Sequence, residues 1–321
     1  MFPTGLSMLW ESVEPRQALR DRFGLDSFDD AASWLAKVLA ESWALDVEAC
    51  DRILISDNNA IAWVRTDQGA LVAKWSRAQD LFERFTAVAD LLQALHHQGV
   101  PVAAPLRSID GRYRMVVHSG SRPLSMTVQP QVAGELLDTT DETAVYQAGA
   151  CLARLHGALA SHRDDRLAGV RFDLPLDLRQ RIEGWLEHRD TGLAPAASAR
   201  LRDQLASLQP IDVEPQLIHN DYRSSNILTA GSEVLAVIDF DEVGTDYCVS
   251  DLANCLVLLA TRFTKWQPTP VSVRTILLEG YESVRPLTAL EHDWLRAVTL
   301  LRGIQSIPAG DDPAGWAAAV Q

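Results

Sequence analysis

Between residues 217 and 241 the chain concentrates side chains that could hold a hard cation or move a proton. The run Leu217-Ile218-His219-Asn220-Asp221-Tyr222-Arg223-Ser224-Ser225-Asn226-Ile227-Leu228 is followed by Val237-Ile238-Asp239-Phe240-Asp241. Asp221, Asn226 and Asp239 offer two carboxylates and an amide oxygen, a donor set suited to Mg2+, which prefers oxygen and keeps several waters. The apolar stretches 227–228 and 234–238 flank a turn at Gly231, which predicts a hairpin with Asn226 at one end and Asp239 at the other, both able to approach the Asp221 loop. Asp239 and Asp241 alternate, so on a strand they face one side. A bare Asp-x-Asp metal site of a glycosyltransferase would share that feature, but no nucleotide-sugar fold precedes it.

The elements that must position these residues fall into two parts. The first 50 residues read as helical, with Ala32, Leu35, Val38, Leu39 and Trp43 at helical spacing and Asp26 or Ser27 as N-cap. Short strands follow at 52–55, 60–64 and 70–75, separated by the polar turns Ser56-Asp57-Asn58-Asn59 and Asp67-Gln68-Gly69. A helix over 80–98, stopped by Gly99, and two strands at 113–118 and 125–131 complete a small antiparallel sheet lobe. After residue 134 the pattern turns helical, with helices expected at 143–161, 178–188, 197–208, 250–261, 271–284 and 289–304. The β-rich stretch 216–241 interrupts them.

Composition narrows the class further. A chain of 321 residues with 47% hydrophobic and 22% charged side chains can bury one or two cores. Its net charge of −14 opposes phosphate backbones and anionic lipid and favours cationic small molecules. Four cysteines without a C-x-x-C pair fit a reducing cytosol, and neither a membrane span nor a signal pattern is evident, so a soluble, cytoplasmic protein binding neither nucleic acid nor membrane is expected. Of the 29 basic residues only Lys37, Lys74 and Lys265 are lysines, and Lys74 lies in the apolar strand Leu71-Val72-Ala73-Lys74. The P-loop, dinucleotide-binding and serine-hydrolase signatures are absent.

His-x-Asp-x-x-x-x-Asn followed by an Asp closing an apolar strand resembles the catalytic and metal-binding segments of the aminoglycoside phosphotransferase family, relatives of the protein kinases. Lys74 is similar to the kinase third-strand lysine. Leu152-Ala153-Arg154-Leu155-His156 resembles the family's Leu-x-x-Leu-His helix, and Ser250-Asp251-Leu252-Ala253 its Asp-Leu-Ala motif. The resemblance implies an α+β, bilobal protein-kinase-like fold: an N-terminal lobe over 1–128, a hinge at 129–133 and a helical catalytic lobe over 134–321. It implies a phosphotransferase that moves the γ-phosphate of ATP or GTP to a hydroxyl of a small acceptor, with Mg2+. Asp221 would accept or orient the hydroxyl proton, Asn226 and Asp239 would hold the metal, and Lys74 would bind the α- and β-phosphates. His219 is expected to brace the loop, and Asp251 to accept amides from it. Arg223 either meets the γ-phosphate or is a solvated loop residue.

The resemblance also marks positions that depart from the pattern. The turn at 56–59 lacks the glycines of a kinase phosphate loop, leaving Ser56 and Asn58 as nucleotide contacts, with Asn able to adopt φ > 0. Glu83 is the only glutamate in its helix and is the expected partner of Lys74, with Asp80 and Asp90 as rivals. Gln129, Gln131 and Val132 fall at the hinge, where the nucleotide base would sit. Asp241, Glu242 and Asp246 are the expected acceptor ligands, with Glu183, Glu187, Glu279 and Glu282 on nearby helices. With the net charge, these acids favour a cationic, aminoglycoside-like acceptor, whereas Trp185 and Trp266 would suit a macrolide-like one. Other acceptors of the family (choline, ethanolamine, homoserine, sugars) and a catalytically inactive binding protein are the alternatives, and a monomer or homodimer is expected.

Overall fold

In the computed structural model, residues 4–168 and 177–320 are described. The chain divides into two compact units, Met1–Ala133 and Gly134–Gln321. No helix among the described residues is long and apolar enough to cross a membrane.

The first unit is built on β1 (Gly5–Met8), α1 (Pro15–Phe23), α2 (Phe28–Trp43), β2 (Val47–Ile55), β3 (Asn59–Thr66), β4 (Gly69–Ser76), α3 (Phe82–His97), β5 (Met115–Ser119) and β6 (Arg122–Pro130). Its six strands run in the order β1-β2-β3-β4-β6-β5. All pairs are antiparallel except β1 with β2, an edge strand that sequence alone did not indicate because Gly5–Met8 is too short to show a period. Ser27 caps α2 by accepting from the Asp30 amide, and the buried helix face uses Ala31 rather than the expected Ala32.

One face of this sheet carries the core. Ile53 and Ile55, Ala60 and Ala62, Leu71, Ala73 and Trp75, and Leu124, Met126 and Val128 pack with residues of α1 and α2. Trp75 is the central wedge, meeting Phe23 and Trp34 edge-on at ring separations of 6.1 and 5.4 Å. Helices α1 and α2 therefore form the cover of one sheet face. They also reach the β2–β3 turn: Arg22 pairs with Glu11 at 2.7 Å and donates to the Ser56 carbonyl at 2.9 Å.

The second unit contains β7 (Glu135–Leu136), α4 (Glu142–Ala160), α5 (Leu178–His188), α6 (Pro195–Ser207), β8 (Gln216–Ile218), β9 (Ile227–Ala230), β10 (Glu233–Val237), β11 (Gly244–Asp246), α7 (Cys248–Leu258), α8 (Val271–Glu282), α9 (Ala289–Gln305) and α10 (Trp316–Ala319). The expected hairpin is present, β9 pairing antiparallel with β10, and β7 adds a third strand to it. β8 and β11 form a separate two-stranded ribbon.

Helices α4 and α8 approach closely because each presents a glycine. A Cβ on Gly149 would lie 2.0 Å from the Leu277 carbonyl oxygen, and one on Gly280 would lie 2.0 Å from that of Tyr146. Backbone cannot yield as a side-chain tip can, so the crossing tolerates no methyl group. Gly149→Ala is expected to cost about 2–3 kcal/mol, lowering the melting temperature by roughly 4–12 °C. Gly157→Ala, on the same helix with nothing within 4 Å, serves as the control and should be neutral or mildly stabilising.

Candidate functional site

Within the first unit, strand alternation decides which side chains are available. Leu71, Ala73 and Trp75 point to the helical cover, so Lys74 lies on the opposite face, half-buried, between Ile61 and Thr127 in the ladder. Glu83 does not serve Lys74. It is exposed in the first turn of α3 and makes no ion pair among the described residues, while the inward positions of that helix are apolar, among them Phe85, Val88 and Leu92. A glutamate at that point complements the helix dipole instead.

The turn after β2 is closed internally. The Ser56 amide donates to the Asn59 carbonyl at 2.8 Å and its hydroxyl points to the same oxygen at 3.4 Å, so the Ser56 amide is not available to phosphate. Asn58 donates its side-chain amide to Asp57, and its carbonyl accepts from Arg77 N at 2.9 Å. None of residues 56–59 has positive φ. Asp57 faces the exposed Arg77 at 3.7 Å. At the end of β6, Gln129 lies in the ladder opposite Val72 and the Gln131 amide donates to the Ala70 carbonyl, whereas the Val132 amide has no partner among the described residues.

In the second unit the loop after β8 is bound from below by one buried carboxylate. Asp251, near the start of α7, accepts from the amides of His219 and Asn220, each at 2.9 Å. Its Oδ2 also lies 3.0 Å from His156 Nε2, and His156 Nδ1 lies 2.8 Å from the Tyr281 hydroxyl. Burial acts to raise the Asp251 pKa, but His156 and the loop amides outweigh it and hold the group below its ordinary 3.8. Burial acts to lower His156, yet Cys248, Tyr281 and Asp251 shift it well above 6.5.

The loop itself turns through Asn220 at φ 65°, a left-handed conformation that asparagine tolerates. Asn220 donates to the Glu242 carbonyl at 3.1 Å, and its own carbonyl accepts from Asn254 at 3.0 Å. His219 is fully buried. Its Nδ1 accepts the Asp221 amide and its Nε2 faces the Ile238 carbonyl, both at 3.2 Å, so it is a strut between the loop and the end of β10. Tyr222 turns inward and donates to the Ala148 carbonyl at 2.8 Å.

This framework leaves Asp221 half-buried with three neighbours that matter. Asn226 donates Nδ2 to both the carbonyl and Oδ2 of Asp221 at 2.8 Å, which leaves its Oδ1 directed elsewhere. Arg223 sets its guanidinium against the carboxylate, Nη2 donating to Oδ2 at 2.9 Å and Nε 2.6 Å from Oδ1. Burial pushes the Asp221 carboxyl above its ordinary range; Arg223 opposes this and Asp239 adds to it. Asp239 is exposed at φ 66°, just beyond β10. Asp239 and Asp241 do not share a strand face, because β10 ends at Val237 and residues 240–242 form a 3-10 turn.

Other expected residues are placed differently. Arg223 is not a solvated loop residue, since Asp221 holds it. Asp246 is only 5% exposed. Arg181 grips it at 2.5 and 3.1 Å, and it also takes the Tyr247 amide and the Ser250 hydroxyl, so it closes the fold rather than facing an acceptor. Asp241 and Glu242 remain partly exposed in the turn after Asp239. Trp266 is 56% exposed, with the Arg223 guanidinium 6.0 Å from its ring. Tyr281 and Asn254 were not anticipated. Tyr281 stands 125 residues from its partner His156, so no local pattern reports it, whereas Asn254 directly follows the Asp251-Leu252-Ala253 motif and was legible in principle.

Residues 55–290 match the phosphotransferase enzyme family (APH), and the chain belongs to that family. Among curated proteins it is 28% identical over 210 residues to the homoserine kinase of Rhizobium rhizogenes, covering 63% of this chain and 60% of the relative. The matches span about three fifths of the length of the first curated relatives. Among solved structures, the amicoumacin kinase hAmiN in complex with AMP-PNP, Ca2+ and Ami superposes with TM-score 0.57 at 18% identity over 90% of both chains. A microcompartment-associated aminopropanol kinase gives 0.59 at 20% identity, covering 95% of this chain and 91% of that one. These likenesses establish the fold as the α+β, protein-kinase-like one.

The Asp251–His156 pair generates a pH test. Asp251, lowered, contributes stability that is fully present above its ordinary pKa and is lost as pH falls through the depressed folded value. His156, raised, contributes stability fully present below 6.5 and lost as pH climbs through its folded value. Asp251→Asn is expected to cost about 3–5 kcal/mol near neutrality. It should also remove part of the wild-type decline in melting temperature below pH 4, measured by circular dichroism.

Proposed function

We propose that the protein is a small-molecule O-phosphotransferase that transfers the γ-phosphate of ATP or GTP to a hydroxyl of an amine-bearing acceptor. The observation that carries this reading is the placement of Asp221: a half-buried carboxylate held by Asn226, on a loop braced by His219 and Asp251. Such a group takes or orients the acceptor's hydroxyl proton as that oxygen attacks phosphorus. Asp221 pairs with Arg223 in the free chain, so a γ-phosphate that attracts the guanidinium would release the carboxylate for the acceptor.

The donor set fits a divalent cation. Asn226 keeps Oδ1 free of Asp221, and Asp239 is an exposed carboxylate at the hairpin end. Among the described residues no group of three or more His, Cys, Asp and Glu is arranged as a metal cage, which suits Mg2+, an ion bound through one or two protein oxygens plus substrate phosphates. Held by Asn226 and Asp239, the ion would neutralise phosphate charge. Lys74 would supply the compact ammonium for the α- and β-phosphates, Asn58 would contact phosphate, and the Val132 amide beside Gln129 and Gln131 would bond the base.

The acceptor reading rests on Asp241 and Glu242, both partly exposed just beyond Asp239, and on the net charge of −14. Homoserine and aminopropanol, named in two of the relatives, are both hydroxyl-bearing amines. An aminoglycoside is a larger member of the same chemical class.

Three outcomes test the proposal. A coupled assay with ATP, GTP and Mg2+ across amino alcohols, aminoglycosides, choline and macrolides should give turnover with an amine-bearing alcohol; turnover confined to neutral acceptors would overturn the acceptor class. Asp221→Asn should lower kcat by about 10²–10⁴-fold with nucleotide affinity nearly intact. Asp239→Ala should abolish Mg2+-dependent nucleotide binding in calorimetry.

A further inference from the structure

Two side chains that precede the family match, which begins at residue 55, control the turn between β2 and β3. Arg22 of α1 binds Glu11 through a bidentate fork, Nη1 donating to Oε2 at 2.8 Å and Nη2 to Oε1 at 2.7 Å. The same Nη1 donates its second hydrogen to the Ser56 carbonyl at 2.9 Å. A planar guanidinium held at two atoms cannot swivel, so this third bond has a set direction. Both side chains are largely shielded, Arg22 at 14% and Glu11 at 21% exposure, and the Arg22 bond holds the Glu11 carboxyl below its ordinary range.

Arg77, just after β4, completes the hold. Its Nε donates to the Asp57 carbonyl at 3.3 Å. Its amide donates to the Asn58 carbonyl at 2.9 Å, and the Ser76 hydroxyl donates to that oxygen at 3.2 Å. Three successive carbonyls of the turn are therefore engaged. Every described peptide bond is trans, so the N–H of each peptide unit points opposite to its C=O. Fixing the Ser56 and Asp57 carbonyls thus fixes where the Asp57 and Asn58 amides point, and neither amide has a partner among the described residues.

The sheet decides which way that is. Helix α1 packs on the face that carries Ile53, Ala73 and Trp75, whereas Lys74 lies on the other face. With the Ser56 carbonyl drawn toward α1, the Asp57 amide turns to the side of Lys74. Glycine gives other phosphate-binding turns their orientation through positive φ, but none of residues 56–59 has it. Here two arginines impose the orientation from the covered side.

We propose that Arg22, set by Glu11, is a positioning residue for the nucleotide: it holds the Ser56 carbonyl so that the Asp57 and Asn58 amides meet a phosphate group. This role rests on the proposed nucleotide-dependent function. Successive amides in a turn form an anion-binding concavity. The Asp57 carboxylate, which would repel phosphate, is drawn off by the Asn58 side-chain amide at 3.1 Å and by Arg77 at 3.7 Å. A segment outside the family match thereby shapes the site that the family match contains.

Calorimetry on the full chain with Mg2+ and AMP-PNP tests this role, with adenosine, measured by competition, as the probe that lacks phosphate. Arg22→Gln should weaken AMP-PNP by about tenfold while adenosine stays within about twofold, because only the phosphate contact is displaced. Glu11→Gln separates positioning from charge. It removes a negative group near the phosphate, so a purely electrostatic role for Arg22 would tighten AMP-PNP. Loss of the fork should instead weaken it by about threefold. Arg20→Ala, on the same helix but paired with Asp26, should change neither ligand. Unchanged or tighter AMP-PNP binding in Glu11→Gln would overturn the positioning role, as would equal weakening of AMP-PNP and adenosine in Arg22→Gln. A wild-type chain that binds no AMP-PNP would overturn the nucleotide-dependent function and this role with it, so the two failures read differently. Where Arg22→Gln fails to fold, Glu11→Gln, close in shape to the native side chain, decides the matter.

Discussion

The second unit is organised around the Asp251 carboxylate. It is buried from water, yet its two oxygens receive two consecutive backbone amides and an imidazole. An isolated carboxylate in that position would be strongly disfavoured, so each donor is tied to it. His219 and Asn220 are the residues immediately before Asp221, and holding their amides on a helix start fixes where the next side chain emerges. His156 arrives from α4 and is itself held by Tyr281 of α8. Three helices and the loop thus converge on one acceptor, and the glycine-to-backbone contact of α4 with α8 is what lets them approach.

The same economy governs the loop. Of the four described non-glycine residues with positive φ, Ala44, Asn220, Asp239 and Phe263, two lie in the candidate site. For a non-glycine residue that conformation costs on the order of 1–2 kcal/mol, and it persists because surrounding bonds over-determine it. At Asn220 three bonds do so, to Asp251, Glu242 and Asn254. His219 then couples the loop to the hairpin through Asp221 and Ile238, so the proposed base and the proposed metal ligands are positioned by one ring.

Much of this was legible in the sequence. Motif spacing located Asp221, Asn226 and the brace roles of His219 and Asp251, because catalytic-loop chemistry needs particular side chains at fixed offsets. Helix positions after residue 134 were readable to within a few residues because their apolar periods are long. Partnerships were not. Glu83 was selected by residue type alone, and only the helix register shows it in an exposed first turn. Asp246 was selected because it follows the metal strand, but its fate depends on Arg181, 65 residues earlier. The turn at 56–59 was read as open to phosphate, yet Ser56 closes on Asn59, a bond that depends on how the hairpin pairs. That the N-terminal helices cover the small lobe was left open, since helical periodicity shows an apolar face but not what it packs on.

Charge pairing gives the unit a rule by which an exception can be recognised. Several buried or half-buried charges meet opposite charges, Asp251 with His156, Arg181 with Asp246, Asp221 with Arg223 and Arg285 with Glu291, while Arg262 and Arg274 bond carbonyl oxygens instead. Asp251 with His156 and Arg181 with Asp246 are closed, with little reason to open, because both partners are shielded from water. Asp221 with Arg223 is different. Its side chains stay about a fifth exposed, so an incoming phosphate can compete for the guanidinium while the carboxylate remains fixed by Asn226.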